Sequence, residues 1–149
     1  MHAREWITTM VTEYIAYSLL RQYKADADIK HALDSFDFYI FPVVNPDGTL
    51  TPAPQIPPAI ALTHAGFVYT QTKNRMWRKN RQTQKDTPCV GRDLNRNWDV
   101  HWDQKGGAAT KACRSTFRGH RPLDAPETRA LAVELQAIKA RQGLRLFID

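Results

Sequence analysis

The chain has 149 residues, 42% of them apolar and 24% charged, a composition that excludes fibrous and intrinsically disordered classes and fits an ordinary globular domain. No apolar run approaches the roughly 18 residues of a membrane span, and no apolar stretch of signal-peptide type follows Met1, so neither spanning nor secretion is readable from this N-terminus. The net charge of +6 would suit a polyanion, with cations concentrated in residues 73–81 and 111–121, but charge alone selects no partner.

In chain order, Ile7, Met10, Val11, Tyr14, Ile15, Leu19 and Leu20 recur at three- and four-residue steps, which predicts an amphipathic helix over 6–23 packed on a sheet. A shorter helix is expected over 27–33. Residues 36–44 are aromatic and β-branched and run into Asn45, Pro46, Asp47 and Gly48, so they read as a buried strand followed by a tight turn. Residues 49–65 are rich in Thr, Pro and Ala and have no periodicity, which is unusual for a loop inside a compact domain. Later, Asp124 as an N-cap, with Glu127 at the third helical position, predicts a helix carrying Leu131, Leu135 and Ile138 and closed by Gly143. Residues 144–148 read as a second strand. Helices alternating with strands predict an α/β fold, a mixed β-sheet flanked by helices.

Several segments carry chemistry. His2 and Glu5, three residues apart, could face one metal ion, although a catalytic zinc needs three protein ligands. Residues 74–81 interleave Arg75, Arg78, Lys79 and Arg81 with Trp77, a pattern suited to phosphates and bases or to a carboxylate clamp, for which arginine is the natural bidentate donor. Residues 91–99 crowd amides, acids and arginines around Trp98, as a site loop would. Cys89 and Cys113 could form a disulfide or remain thiols; His31, His64, His101 and His120 have no ligand-like spacing and receive no role.

Taken together and in this order, His2-Ala3-Arg4-Glu5-Trp6-Ile7, Val44-Asn45-Pro46-Asp47-Gly48, residues 74–79 and Asp93-Leu94-Asn95-Arg96-Asn97-Trp98 resemble the zinc carboxypeptidases of the A/B type. The resemblance implies one Zn²⁺ held by His2 and Glu5, with the third ligand and the general base beyond residue 149. It further implies Asp93 as the acid orienting the histidine, Asn95 and Arg96 as the pair binding the substrate's terminal carboxylate, and Arg78 as the oxyanion stabiliser. Arg4 and Arg75 would serve neighbouring subsites. Cys89 and Cys113 would pair, and Lys79 and Arg81 would be surface charges.

The same resemblance casts the chain as a partial peptidase domain with an incomplete sandwich fold. The complete protein would be extracellular and monomeric, acting on peptide and protein C-termini and involving neither membrane nor nucleic acid. The present chain would be inactive alone. Residues 49–66 read as an insertion outside the fold, on the hypothesis of a translated short intron, since their removal would join Gly48 to Phe67 in the family's manner. Two rival readings are a non-catalytic remnant retaining a carboxylate pocket and a basic nucleic-acid-binding module using residues 75–81.

Overall fold

A computed structural model of the chain describes residues 1–45 and 65–149, the side chains of 65–68 excepted. The turn expected at 46–48, most of the insertion and His64 therefore fall outside the described residues; Ala65 and Gly66, assigned to that insertion, open a helix. The chain divides into two compact units, one of Glu5–Val44 and one of Met1–Arg4 with Asn45–Asp149.

The smaller unit contains α1 (Trp6–Gln22) and α2 (Ala27–Ser35), close to the two helices expected. Asp26 caps α2, its carboxylate accepting the backbone N–H groups of Asp28 and Ile29 at 2.9 and 3.0 Å, which satisfies two of the donors a helix start leaves orphaned. Helix α1 buries none of its residues, and its apolar side chains are spread around it, so the amphipathic helix packed on a sheet that was expected is not found. The strand expected over 36–44 is not paired. Phe36 is extended (φ −137°, ψ 144°), but no ladder forms among the described residues, because a strand exists only where a neighbour accepts its backbone groups.

The larger unit contains α3 (Ala65–Thr72), a 3₁₀ turn at Leu94–Arg96 and α4 (Pro126–Gln142). Between the helices, irregular segments are tied to one another by a parallel bridge between Ala109 and Phe117, and the Phe117 carbonyl accepts the Asp93 N–H at 2.7 Å. Residues 144–148 form no strand either, and Leu146 and Ile148 stand exposed. The expected partial sheet is thus absent among the described residues.

Helix α4 starts one residue later than expected. Ala125 is its N-cap and Pro126 occupies the first turn, where a missing N–H costs nothing. Asp124 is diverted: its carboxylate accepts from Asn97 Nδ2 at 2.8 Å and from the His120 N–H at 3.0 Å, and lies 2.8 Å from Arg92 Nε as an ion pair without an aligned hydrogen bond. Glu127 turns to Asn80, whose Nδ2 reaches both its oxygens at 3.1 and 3.0 Å. Gly143 ends the helix as expected, at φ 81°, with its N–H on the Lys139 carbonyl.

The core is small and half polar. Phe117, Leu94 and Ile138 are its largest buried apolar side chains, and Asn80, Asn97, Asp93 and Thr128 are buried beside them. Burying an amide costs free energy unless it is paired, and Asn97 is paired throughout. Its Nδ2 donates to the carbonyls of Arg118 and Arg121 and to Asp124, while its Oδ1 accepts from the Ala125 N–H and the Thr128 hydroxyl.

Cys89 and Cys113 are disulfide-bonded, with Cα atoms 5.0 Å apart and a sequence separation of 24. Closing a loop of that length restricts the unfolded chain by about 3 kcal/mol. With so little apolar core, reduction should lower the midpoint of urea unfolding clearly; an unchanged midpoint in the presence of dithiothreitol would contradict this.

Candidate active site

Residues 1–4 lie against the loop that precedes the 3₁₀ turn. The Ala3 N–H donates to the Arg78 carbonyl at 3.2 Å, the Thr70 hydroxyl to the Ala3 carbonyl at 3.4 Å, and Arg75 Nη1 to the Arg4 carbonyl at 2.7 Å. These contacts carry His2 to Asp93. His2 Nε2 is 3.0 Å from Asp93 Oδ1, and Arg78 Nε donates to Asp93 Oδ2 at 2.7 Å. A carboxylate only accepts, so a ring proton belongs on Nε2.

Asp93 is fully buried, and its place is set locally: it is the N-cap of the 3₁₀ turn, accepting the Asn95 N–H at 3.2 Å. Burial pushes its carboxyl up, but hydrogen bonds from His2 and Arg78, with their charges, outweigh that and hold it below the usual carboxylate range. The result is a buried carboxylate holding an imidazole on one oxygen and a guanidinium on the other.

The turn then presents Asn95 and Arg96. Trp98 Nε1 donates to Asn95 Oδ1 at 3.3 Å, and Arg96 Nη1 to the Asn95 carbonyl at 2.7 Å. Both residues line an open cavity of about 130 Å³ with Trp98, His101 and Trp102. Glu5 belongs to the other compact unit and sits at the N-cap position of α1, its carbonyl accepting the Thr8 N–H and hydroxyl. Among the described residues, no group of three or more His, Cys, Asp or Glu side chains could hold a metal ion.

Lys79 and Arg81 are not the surface charges expected from sequence. Lys79 is only 5% exposed: its ammonium donates to the Ala112 carbonyl at 2.7 Å and lies 5.7 Å from the Trp77 ring. Arg81 stacks on Tyr69 and Trp77, with centroid distances of 3.9 and 4.6 Å. Alternating cations and aromatics therefore serve internal packing here, because a guanidinium plane covers an aromatic face as readily as a base would.

Burial, reinforced by the Arg81 and Arg92 charges, lowers the Lys79 pKa from 10.5 to about 8. The unfolded chain thus binds the extra proton between those values, and stability should rise with pH across that window by up to about 3 kcal/mol. Lys79→Met should abolish the rise. Thermal melts of both forms between pH 7 and 10 check it; parallel curves would refute the assignment.

Sequence reasoning passed over the side chains that hold this loop in place. Asn80 and Asn97 lie inside the motifs but received no role of their own, and Asp124 was expected to be a helix cap. A glycine at Gly119 was the available clue: it adopts φ 91°, and a Cβ there would meet Asp124 Oδ1 at 2.3 Å and Asn97 Nδ2 at 2.7 Å.

A buried carboxylate thus holds a histidine beside an arginine and an Asn-Arg turn. The chain belongs to the zinc carboxypeptidase family, whose model matches residues 1–52 and 65–149. It is 44% identical over all its 149 residues to metallocarboxypeptidase A of Trichophyton rubrum and 36% identical over 141 residues to a zinc carboxypeptidase of Simulium vittatum. It spans 31% of the length of the former and 40% of the latter.

Among solved structures it is similar to thrombin activatable fibrinolysis inhibitor, with a TM-score of 0.74 at 36% identity over 91% of this chain and 29% of that one. Carboxypeptidase A of Helicoverpa armigera gives 0.71 at 29% identity over 94% of this chain and 29% of that one. The fold is therefore that of a carboxypeptidase portion, and the α/β class holds at that level even though the sheet does not form among the described residues.

Proposed function

We propose that this chain supplies part of the active site of a zinc-dependent carboxypeptidase acting on the C-terminal bond of peptides and proteins. The observation that carries the reading is Asp93, buried and bonded to both His2 and Arg78. His2 and Glu5 would hold the ion, with a third ligand from outside this chain. Bound zinc would polarise the scissile carbonyl and lower the pKa of a bound water.

The chain's own residues do the positioning. Asp93 would fix the ring plane of His2 and hold the Arg78 guanidinium through Nε, and Arg78 would stabilise a developing oxyanion. Asn95 and Arg96 would bind the terminal carboxylate, and Arg4 and Arg75 would serve the adjoining residues of the substrate. A free C-terminus then becomes a requirement, because an arginine clamp leaves an amidated end unpaired. The Cys89–Cys113 bond supports an extracellular location, where oxidation persists. The family match passes over residues 53–64, which supports reading the core of 49–66 as an insertion outside the fold.

The test joins this chain to the part of the Trichophyton rubrum enzyme outside the match and measures hydrolysis of one peptide as free acid and as amide. Cleavage of the acid alone is expected, weakened in Arg96→Ala chiefly through KM. Equal cleavage of acid and amide would overturn the assignment of the clamp. The lack of a three-ligand group among the described residues favours one second reading, carboxylate binding without hydrolysis by this chain on its own. Calorimetry with a short acidic peptide, with and without zinc, separates the two.

A further inference from the structure

Trp98 has no part in the chemistry proposed above, yet its indole is bonded to a residue that does. In a chain wound at three residues per turn, side chains three apart stack, and Trp98, just past the turn Leu94–Arg96, comes back onto Asn95. Trp98 Nε1 donates to Asn95 Oδ1 at 3.3 Å, and both residues are half-buried. An indole nitrogen only donates, so of the two ends of the amide it selects the oxygen and rejects the NH₂ group. Both partners are held from behind. The Asp93 carboxylate accepts the Asn95 N–H at 3.2 Å, and Trp98 directly follows Asn97, whose side chain is tied by five hydrogen bonds. Asn95, Arg96 and Trp98 line the same open cavity, and with Oδ1 engaged by the indole, the two N–H donors of Nδ2 are what the amide has left for it.

We infer that Trp98 is a positioning residue for the carboxylate clamp: its indole N–H fixes the Asn95 amide so that a terminal carboxylate meets the Nδ2 donors beside the Arg96 guanidinium. The inference rests on the reading of Asn95 and Arg96 as the carboxylate-binding pair. A carboxylate only accepts, so an Asn95 amide turned the other way would set oxygen against oxygen and cancel part of the arginine's attraction. An amide free to rotate would have to be ordered by each incoming substrate, and the indole removes that cost in advance. Trp98 itself need not touch the ligand.

Nuclear magnetic resonance titrations of the 149-residue chain with N-acetylphenylalanine and with its amide provide the test, on the parent, Trp98→Phe, Asn95→Ala and the double variant. Trp98→Phe keeps an aromatic ring without the N–H, and it should weaken binding of the acid about fivefold, the worth of one net hydrogen bond, while leaving the amide unchanged. In the Asn95→Ala background the same substitution should have no further effect, a result that general loosening of the loop would not produce. Equal weakening in both backgrounds overturns the proposal, as does a Trp98→Phe variant that binds the acid as the parent does. The parent alone supplies a second measurement, independent of whether the variants fold: its Trp98 indole proton should exchange with water at least about tenfold more slowly than that of free tryptophan, and equally fast exchange refutes the bond. A parent that binds acid no better than amide overturns the clamp reading, and the proposal with it; a parent that prefers the acid, with Trp98→Phe unaffected, overturns the proposal alone.

Discussion

Asp93→Ala is expected to destabilise the chain by about 3–5 kcal/mol, the usual cost of removing one member of a buried ion pair. The loss exceeds that of a surface pair because Asp93 is inaccessible and its partners, His2 and Arg78, are themselves only 10% and 12% exposed at the side chain. Without the carboxylate the Arg78 guanidinium is left beside a buried space, and the 3₁₀ turn loses its cap at Asn95. Asp93→Asn keeps the volume and one acceptor, so it should cost less stability while still disturbing His2. In the joined enzyme it should weaken zinc binding by about 10–100-fold. Urea unfolding and competitive zinc titration together check this pair. A variant as stable as the parent, with unchanged zinc affinity, would show that Asp93 neither holds Arg78 nor orients His2.

The second large effect is expected at Asn97, an uncharged side chain bonded to the Asp124 carboxylate. Asn97→Ala removes five side-chain hydrogen bonds at once and leaves the Thr128 hydroxyl, the Ala125 N–H and the carbonyls of Arg118 and Arg121 without that partner. Each stranded buried group costs about 1–3 kcal/mol, less whatever water regains. The Asn97 carbonyl also accepts the N–H of Leu123, which sits at φ 54°, a left-handed conformation costly for a branched side chain. Against a total stability of about 5–15 kcal/mol, the substitution should leave the larger unit largely unfolded. Gly119→Ala should act in the same direction from the opposite side, by driving a Cβ into Asp124 and Asn97. Circular dichroism melts on both variants provide the check; Asn97→Ala melting within a few degrees of the parent would show that the network is dispensable.

The two substitutions probe different things. Asp93 binds the residues proposed for chemistry to one another, whereas Asn97 binds the loop that carries them to the start of α4. A chain whose buried side chains are so largely amides, hydroxyls and charges draws its order from directed bonds, and single losses in such a network are not absorbed by repacking as they are among leucines.

Much of the local structure was determined by the sequence. The spacing of Ile7 to Leu20 places α1, Asp26 starts α2, and Gly143 stops α4, since each depends on interactions within a few residues. The ordered motifs around His2, Arg78 and Asp93 pointed to the zinc carboxypeptidases, because a family is carried by residue identity and order. Only the tertiary structure decided how the polar residues are used. Asp124 serves Asn97, His120 and Arg92 instead of capping α4, and Lys79 lies buried on the Ala112 carbonyl, because long-range partners outbid local ones once both are desolvated. The strand character of 36–44 and 144–148 was legible in the same residues, yet no sheet follows from it here: backbone pairing is a property of two segments, and neither finds its neighbour among the described residues.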